Sequence, residues 1–170
     1  IIDLIKNRTL SAEIAAMFWY LVENKISIFV CGGVASGKTT LLNGVASFIG
    51  ADAKVITIED TPEIQLFHEN WIRSVTRPST GSSAAIEIFD LLKAAMRQRP
   101  DYILVGEIRG AEAYTLFQAM STGHLGLATL HAENAESALR RLETEPMNIP
   151  RMMIAGLNMI VVISRREING

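Results

Sequence analysis

Between Ile28 and Leu42 the chain reads IFVCGGVASGKTTLL. Ile28 to Cys31 are all apolar and predict a short buried strand, whereas Leu41, Leu42, Val45, Ala46 and Ile49 follow the spacing of a helix that starts near Thr39. Between the two lies Gly32-x-x-x-x-Gly37-Lys38-Thr39, a full match to the phosphate-binding loop pattern in the strand–helix context that gives the pattern its meaning. Glycines at 32, 33 and 37 let backbone N–H groups turn inward around a phosphate without an intervening Cβ. The helix behind them adds its unpaired N–H groups and the positive end of its dipole. Lys38 can set a compact charge on the β- and γ-phosphates, and Thr39 can offer its hydroxyl to a magnesium ion. The residues expected to surround the phosphates are Gly32, Gly33, Val34, Ala35, Ser36, Gly37, Lys38, Thr39 and Thr40.

The remaining composition narrows the class. With 170 residues the chain suits one α/β domain with a substantial core. A net charge of −2 supplies no general basic field, so nucleic acid is not an expected partner. The longest apolar run, Ile14 to Val22, is bounded by Glu13 and Glu23 and falls far short of the roughly 20 residues that span a bilayer. Neither a membrane span nor a signal peptide is expected. The single cysteine, Cys31, excludes an internal disulfide and fits a reducing cytoplasm. The chain opens on Ile1 and ends four residues after Arg165-Arg166, which suggests a piece of a longer protein.

In chain order, Ile1 to Lys6 is ambiguous, and Thr9 or Ser11 can cap a helix to about Asn24. That helix is apolar nearly all round, which predicts burial against the core and against another domain or subunit. Lys54 to Ile58 predicts a second buried strand, with Glu59-Asp60-Thr61-Pro62-Glu63 on the loop at its carboxyl end. Trp71 to Arg77 alternates apolar and polar residues, as an edge strand or a hairpin arm would. The loop Ser79 to Ser83 can cap a helix running from about Ala84 to Arg99, stopped by Pro100. Tyr102 to Val105 is a third buried strand, terminated by Gly106-Glu107; a helix from Ala111 to Thr122 is closed by Gly123. Leu125 to Leu130 forms a further strand with His131 at its end, Asn134 caps a helix to about Glu143, Pro150 begins another, and Met159 to Ile163 supplies the last strand. Apolar strands alternating with helices predict an α/β fold: a mostly parallel sheet with helices on both faces.

In such sheets ligands bind beyond the carboxyl ends of the strands. The phosphate loop, the Glu59–Glu63 cluster, Glu107 and His131 all fall there. Hydrolysis of a phosphoanhydride needs cations against the spreading charge and an acceptor that orients water. Lys38, Thr39 and Mg²⁺ suit the first task, and Glu107 or Glu63 the second. The position where many nucleotide hydrolases carry a metal-holding Asp is Gly106, which leaves Thr39 and a carboxylate such as Glu59 as metal candidates. His124 and His131 are not at a zinc-ligand spacing. His131 points at the nucleotide, His124 is as readily an exposed loop residue as a functional one, and His68 is expected at the surface.

Together, Gly32 to Thr39, Ile58-Glu59-Asp60-Thr61-Pro62-Glu63, Ile103-Leu104-Val105-Gly106-Glu107-Ile108-Arg109 and Thr122-Gly123-His124-Leu125-Gly126 leading to His131 resemble the secretion ATPase superfamily, whose members drive type II and type IV secretion, type IV pili and the archaeal flagellum. The four matched motifs, Walker A, Asp box, atypical Walker B and His box, cover Val30 to about Leu142. The acidic box with Thr61-Pro62 resembles archaeal members more closely than bacterial pilus motors.

The resemblance implies a RecA-like motor domain over residues 1–170, with the family's N-terminal domain outside this chain. It implies a hexameric ring, ATP and Mg²⁺ as ligands, and a place at the cytoplasmic face of a membrane beside an assembly-platform protein. It implies Lys38, Glu63 and Glu107 as catalytic residues, His131 as a sensor of the γ-phosphate, and His124 as the first histidine of its box. The four-cysteine zinc module of many type II motors is absent. Two other classes stay open: a P-loop kinase, and a nucleotide-binding assembly module that is inactive in isolation.

Overall fold

Among the described residues, the alternation of apolar strand and amphipathic helix produces a sheet of six parallel strands in the order β3-β2-β4-β5-β1-β6. A computed structural model describes residues 1–80 and 84–165. The strands are β1 (Ile28–Gly32), β2 (Val55–Glu59), β3 (Trp71–Val75), β4 (Tyr102–Ile108), β5 (Leu125–His131) and β6 (Met159–Ile163). The helices are α1 (Ile2–Lys6), α2 (Ala12–Glu23), α3 (Lys38–Ala46), α4 (Ile88–Met96), α5 (Glu112–Ser121), α6 (Ala135–Glu143) and α7 (Arg151–Ile154).

Side chains on a strand alternate between faces, and the two halves of each apolar run feed two cores. Phe29, Cys31, Ile56, Ile58, Ile103 and Val105 pack under α4, α5, α6 and α7 with Leu92, Phe117 and Leu142. Ile28, Val30, Val55, Leu104 and Leu127 face the other way, against Phe18 of α2 and Leu42 and Val45 of α3. Both faces of the central strands are therefore covered, and β1 and β2 are buried along their whole length.

The edges behave differently. β3 is a parallel edge strand on β2, not a hairpin arm. The continuous apolar run of β6 is only half-buried, because the last strand of a sheet lacks a neighbour on one side.

The helix ends follow their caps. Ser11, rather than Thr9, caps α2, its side chain accepting from the Ile14 N–H at 3.3 Å. Asn134 and Ser137 form a reciprocal capping box at α6. The expectation of a helix from Ala84 was too long. Ile86 pairs its backbone with Arg77 in an antiparallel bridge, which holds the chain extended until Glu87 and Asp90 box the start of α4 at Ile88. The expected capping role of the Ser79–Ser83 loop falls partly outside the described residues, as does Arg166.

Two strands run further than expected. Glu59 is the last residue of β2 and is 1% exposed, not part of the loop. β4 continues through Gly106 and Glu107 to Ile108, with a register shift against β5 between Val105 and Ile108. A glycine inside an apolar strand looks like a stop; here it marks the irregularity that turns Glu107 toward the rim.

Candidate nucleotide site

The four strands that carry the polar residues are consecutive in the sheet, β2-β4-β5-β1, so their carboxyl ends form one continuous rim. In the parallel register Gly32 stands beside His131 and Ile58 beside Val105, which brings Glu59 next to Gly106. A cavity of about 740 Å³ opens at this rim. Residues 34–40 line one wall; Glu59, Glu63, Glu107 and His131 line the rest. Asp60 of the acidic cluster, Arg109, Arg141 and Thr129 also border it, and of these only Thr129 carried no signal in the sequence.

The phosphate loop owes its shape to steric demands at particular positions. A Cβ at Gly32 would stand 2.4 Å from Ser36 Oγ and 2.5 Å from the Ile163 carbonyl oxygen, so β6 and the loop close down on a bare Cα. Gly37 caps α3 with φ 95°, and Ala35 also takes a left-handed φ of 54° despite its side chain. Such a conformation costs about 1 kcal/mol in a residue with a Cβ, and it turns successive N–H groups the same way. Gly33 differs from the expectation: its Cα borders open space. Its part is played by the carbonyl, which accepts from Lys38 Nζ at 2.7 Å and from Ser36 Oγ at 3.0 Å. Val34 at the loop tip is 85% exposed.

Glu63 sits on an exposed turn that is nonetheless tied down from three sides. Glu59 Oε1 accepts from the N–H groups of both Glu63 and Ile64 at 2.8 Å. Asn43 of α3 donates to the Glu63 carbonyl and accepts from the Gln65 N–H. Arg73 of β3 donates to the Ile64 carbonyl, and Ile64 itself is fully buried. The acidic loop is thus rigid at its backbone, while the Glu63 carboxylate is exposed at the cavity.

Glu107 is differently placed. Arg109 donates to its Oε2 through Nε at 2.9 Å and Nη2 at 2.6 Å, and reaches Asp60 at 3.7 Å. The bond to Glu107, and the charge beside it, raise the Arg109 pKa above its ordinary value. Thr129 donates to the Gly106 carbonyl, locking the β4 end to β5. Arg141 donates to the His131 carbonyl at 3.3 Å, bringing α6 against the same rim.

His124 lies at the amino end of β5, the opposite rim, about 20 Å of strand away from His131. Its Nδ1–H donates to the Ala119 carbonyl at 3.2 Å, closing the end of α5. His68 is half-buried, not a free surface residue, with Nε2 3.1 Å from the Ile49 carbonyl.

Cys31 lies under the loop and is fully buried. Burial pushes its thiol up to about 11, with Lys38 opposing only in part, so it is no nucleophile at neutral pH. A pKa raised on folding contributes stability that is whole below the ordinary value of 9.0 and is lost as pH climbs toward 11. Denaturant unfolding should therefore lose about 2 kcal/mol more between pH 9 and pH 11 in the parent than in a Cys31→Ala variant.

The donor set fits a metal shared with a ligand. Among the described residues no three His, Cys, Asp or Glu gather as a metal cage. A hard cation held by phosphate oxygens, waters and one or two protein oxygens needs no such cage, and Thr39 borders the cavity to provide one.

The family model described as "Type II/IV secretion system protein" matches residues 2–169. An uncharacterized protein of Methanocaldococcus jannaschii is 55% identical over 93% of this chain and 59% of its own length. The probable conjugal transfer protein TrbB of Sinorhizobium fredii is 38% identical over 96% of this chain and 51% of its own. Among solved structures, the VirB11 ATPase of the Brucella suis type IV secretion system, crystallised with sulphate, superposes with a TM-score of 0.77 at 27% identity, over 94% of this chain and 50% of that one. The chain thus spans about half the length of these relatives. No helix among the described residues is long and apolar enough to cross a membrane.

Proposed function

Because the chain belongs to the type II/IV secretion system protein family, with the RecA-like fold of its ATPases, we propose that it is the Mg²⁺-dependent, ATP-hydrolysing motor domain of a longer protein that powers assembly or export from the cytoplasmic face of a membrane. The observation that supports this best is the convergence of the phosphate loop, Glu63, Glu107 and His131 on one cavity from four adjacent strand ends.

In this mechanism the triphosphate enters along residues 34–40. Lys38, which donates to the Gly33 carbonyl, exchanges that partner for the β- and γ-phosphate oxygens. The N-terminus of α3 and the inward N–H groups hold the β-phosphate. Thr39 would hold the magnesium ion through its hydroxyl, and that ion would supply positive charge against the phosphates. The Glu63 carboxylate orients the attacking water. Glu107 acts with Arg109 on the γ-phosphate side, the arginine exchanging a carboxylate oxygen for a phosphate one as charge develops. His131, beside Gly32 in the register, reports whether the γ-phosphate is present.

We further propose a homo-hexameric ring seated on a membrane platform protein. Met17, Trp19 and Tyr20 on the outer side of α2 remain 43%, 53% and 66% exposed, as a surface awaiting another domain or subunit would. ATPase rate per protomer of the full-length protein, followed against protein concentration, tests the reading: a ring enzyme gains specific activity as it assembles. A kinase would release ADP in proportion to an added acceptor at any concentration. A passive assembly module would bind ATP and release none.

A further inference from the structure

We infer that Asn43 is a positioning residue for hydrolysis: it ties α3, the helix that carries Lys38 and Thr39, to the segment that carries Glu63, and so sets the spacing between the phosphates and that carboxylate. The inference rests on the reading above, in which Glu63 orients water, and adds the residue that keeps Glu63 in register with the phosphate loop.

Residues 62–68 belong to no helix or strand, yet the backbone around Glu63 is held closely. Five successive polar groups, from the Glu63 N–H to the Gln65 N–H, are each bonded to a side chain of another element. Glu59, the last residue of β2, accepts from the N–H groups of Glu63 and Ile64 at 2.8 Å. Arg73 of β3 donates to the Ile64 carbonyl. The other two groups go to Asn43: its Nδ2 donates to the Glu63 carbonyl at 3.2 Å, and its Oδ1 accepts from the Gln65 N–H at 2.9 Å. A side-chain amide carries a donor and an acceptor on one rigid plane, and one orientation satisfies both backbone groups.

Of the three anchors, Glu59 and Arg73 fasten the segment to the sheet, whereas Asn43 fastens it to the helix behind the phosphate loop. Thr39 and Asn43 are four residues apart in α3 and so share a face, with about 6 Å between their Cβ atoms. Thr39 borders the cavity. One turn further along that face, Asn43 meets the Glu63 segment. A single hydrogen-bonded turn then relates the phosphates to Glu63 by a path that does not pass through the sheet.

The two bonds add little stability, because both are exposed and water satisfies exposed backbone groups at small net cost. Water cannot, however, fix the place of a carboxylate. A displacement of about 1 Å at a reacting group can cost on the order of 100-fold in rate.

In the full-length protein Asn43→Ala should slow single-turnover ATP hydrolysis about tenfold or more, with ADP affinity within about threefold of the parent. In a Glu63→Gln background the same exchange should slow hydrolysis by no more than about twofold, since the group it places is already disabled. A parent-like rate for Asn43→Ala would overturn the inference. So would a loss that multiplies with that of Glu63→Gln, because Asn43 then acts elsewhere. A fall in ADP affinity as large as the fall in rate marks a merely structural residue and also overturns it. If Glu63→Gln alone turns over at the parent's rate, or the parent binds no ADP, the reading beneath the inference falls and takes the inference with it. Should Asn43→Ala not fold, Asn43→Leu, of similar shape and without either polar atom, takes its place under the same criteria.

Discussion

Glu63→Gln in the full-length protein should leave ATP binding intact and slow turnover by on the order of 10²- to 10⁴-fold, the range lost when a positioned general base is removed. The substitution is nearly isosteric, and the turn that carries it is held through its backbone by Glu59, Asn43 and Arg73, so the fold has no reason to respond. Glu63 is the stronger choice for orienting water because its carboxylate stands exposed at the cavity, whereas Glu107 already gives one oxygen to both Nε and Nη2 of Arg109. Single-turnover hydrolysis and equilibrium binding of a fluorescent ATP analogue, measured on the same preparation, separate the two effects. A Glu63→Gln enzyme with the parent's rate would move the water-orienting role to Glu107.

Lys38→Ala should weaken ATP binding roughly 100-fold, the scale of one or two charge-assisted hydrogen bonds to phosphate. Lys38 is the first residue of α3, and its ammonium is already within the loop, bonded to the Gly33 carbonyl. Losing that bond should barely change thermal stability, because Ser36 still donates to the same carbonyl and the close approach at Gly32 still shapes the turn. Calorimetric titration with ATP beside a melting curve checks both halves. An ATP affinity within about threefold of the parent would mean that the backbone N–H groups alone carry the phosphates.

Much of this site was legible because its parts are short-range. A loop of glycines followed by Lys38-Thr39, an apolar strand before it and a helical spacing after it each depend on neighbours within a turn or two. So do the Ser11 and Asn134 caps. The joint order of four motifs then pointed to a family, and the family model that matches residues 2–169 agrees.

What stayed hidden depends on contacts between distant parts of the chain. Gly106 looked like the end of a strand, yet β4 runs on past it because β5 and the Thr129 hydroxyl hold its backbone. Glu59 and Glu63 looked alike as members of one acidic run. One turned out to be a buried strand residue and the other an exposed loop residue, separated by whether the chain is still paired with its neighbours. His124 and His131 were a pair in sequence and are at opposite ends of one strand in space. Asn43 carried no signal, and Arg73 and Arg109 were visible only as available charges, since which carboxylate or carbonyl a long side chain reaches follows from sheet order.

The amino acids alone specified a triphosphate loop, the apolar runs that must lie inside a parallel sheet, and the set of acids and histidines available to it, because backbone propensity and residue chemistry act locally. Folding alone gave each acid its surroundings. Strand order and register set which carboxylate meets an arginine, which is sealed beside a glycine and which is left free at the cavity, and those environments, more than residue type, determine what a carboxylate can do.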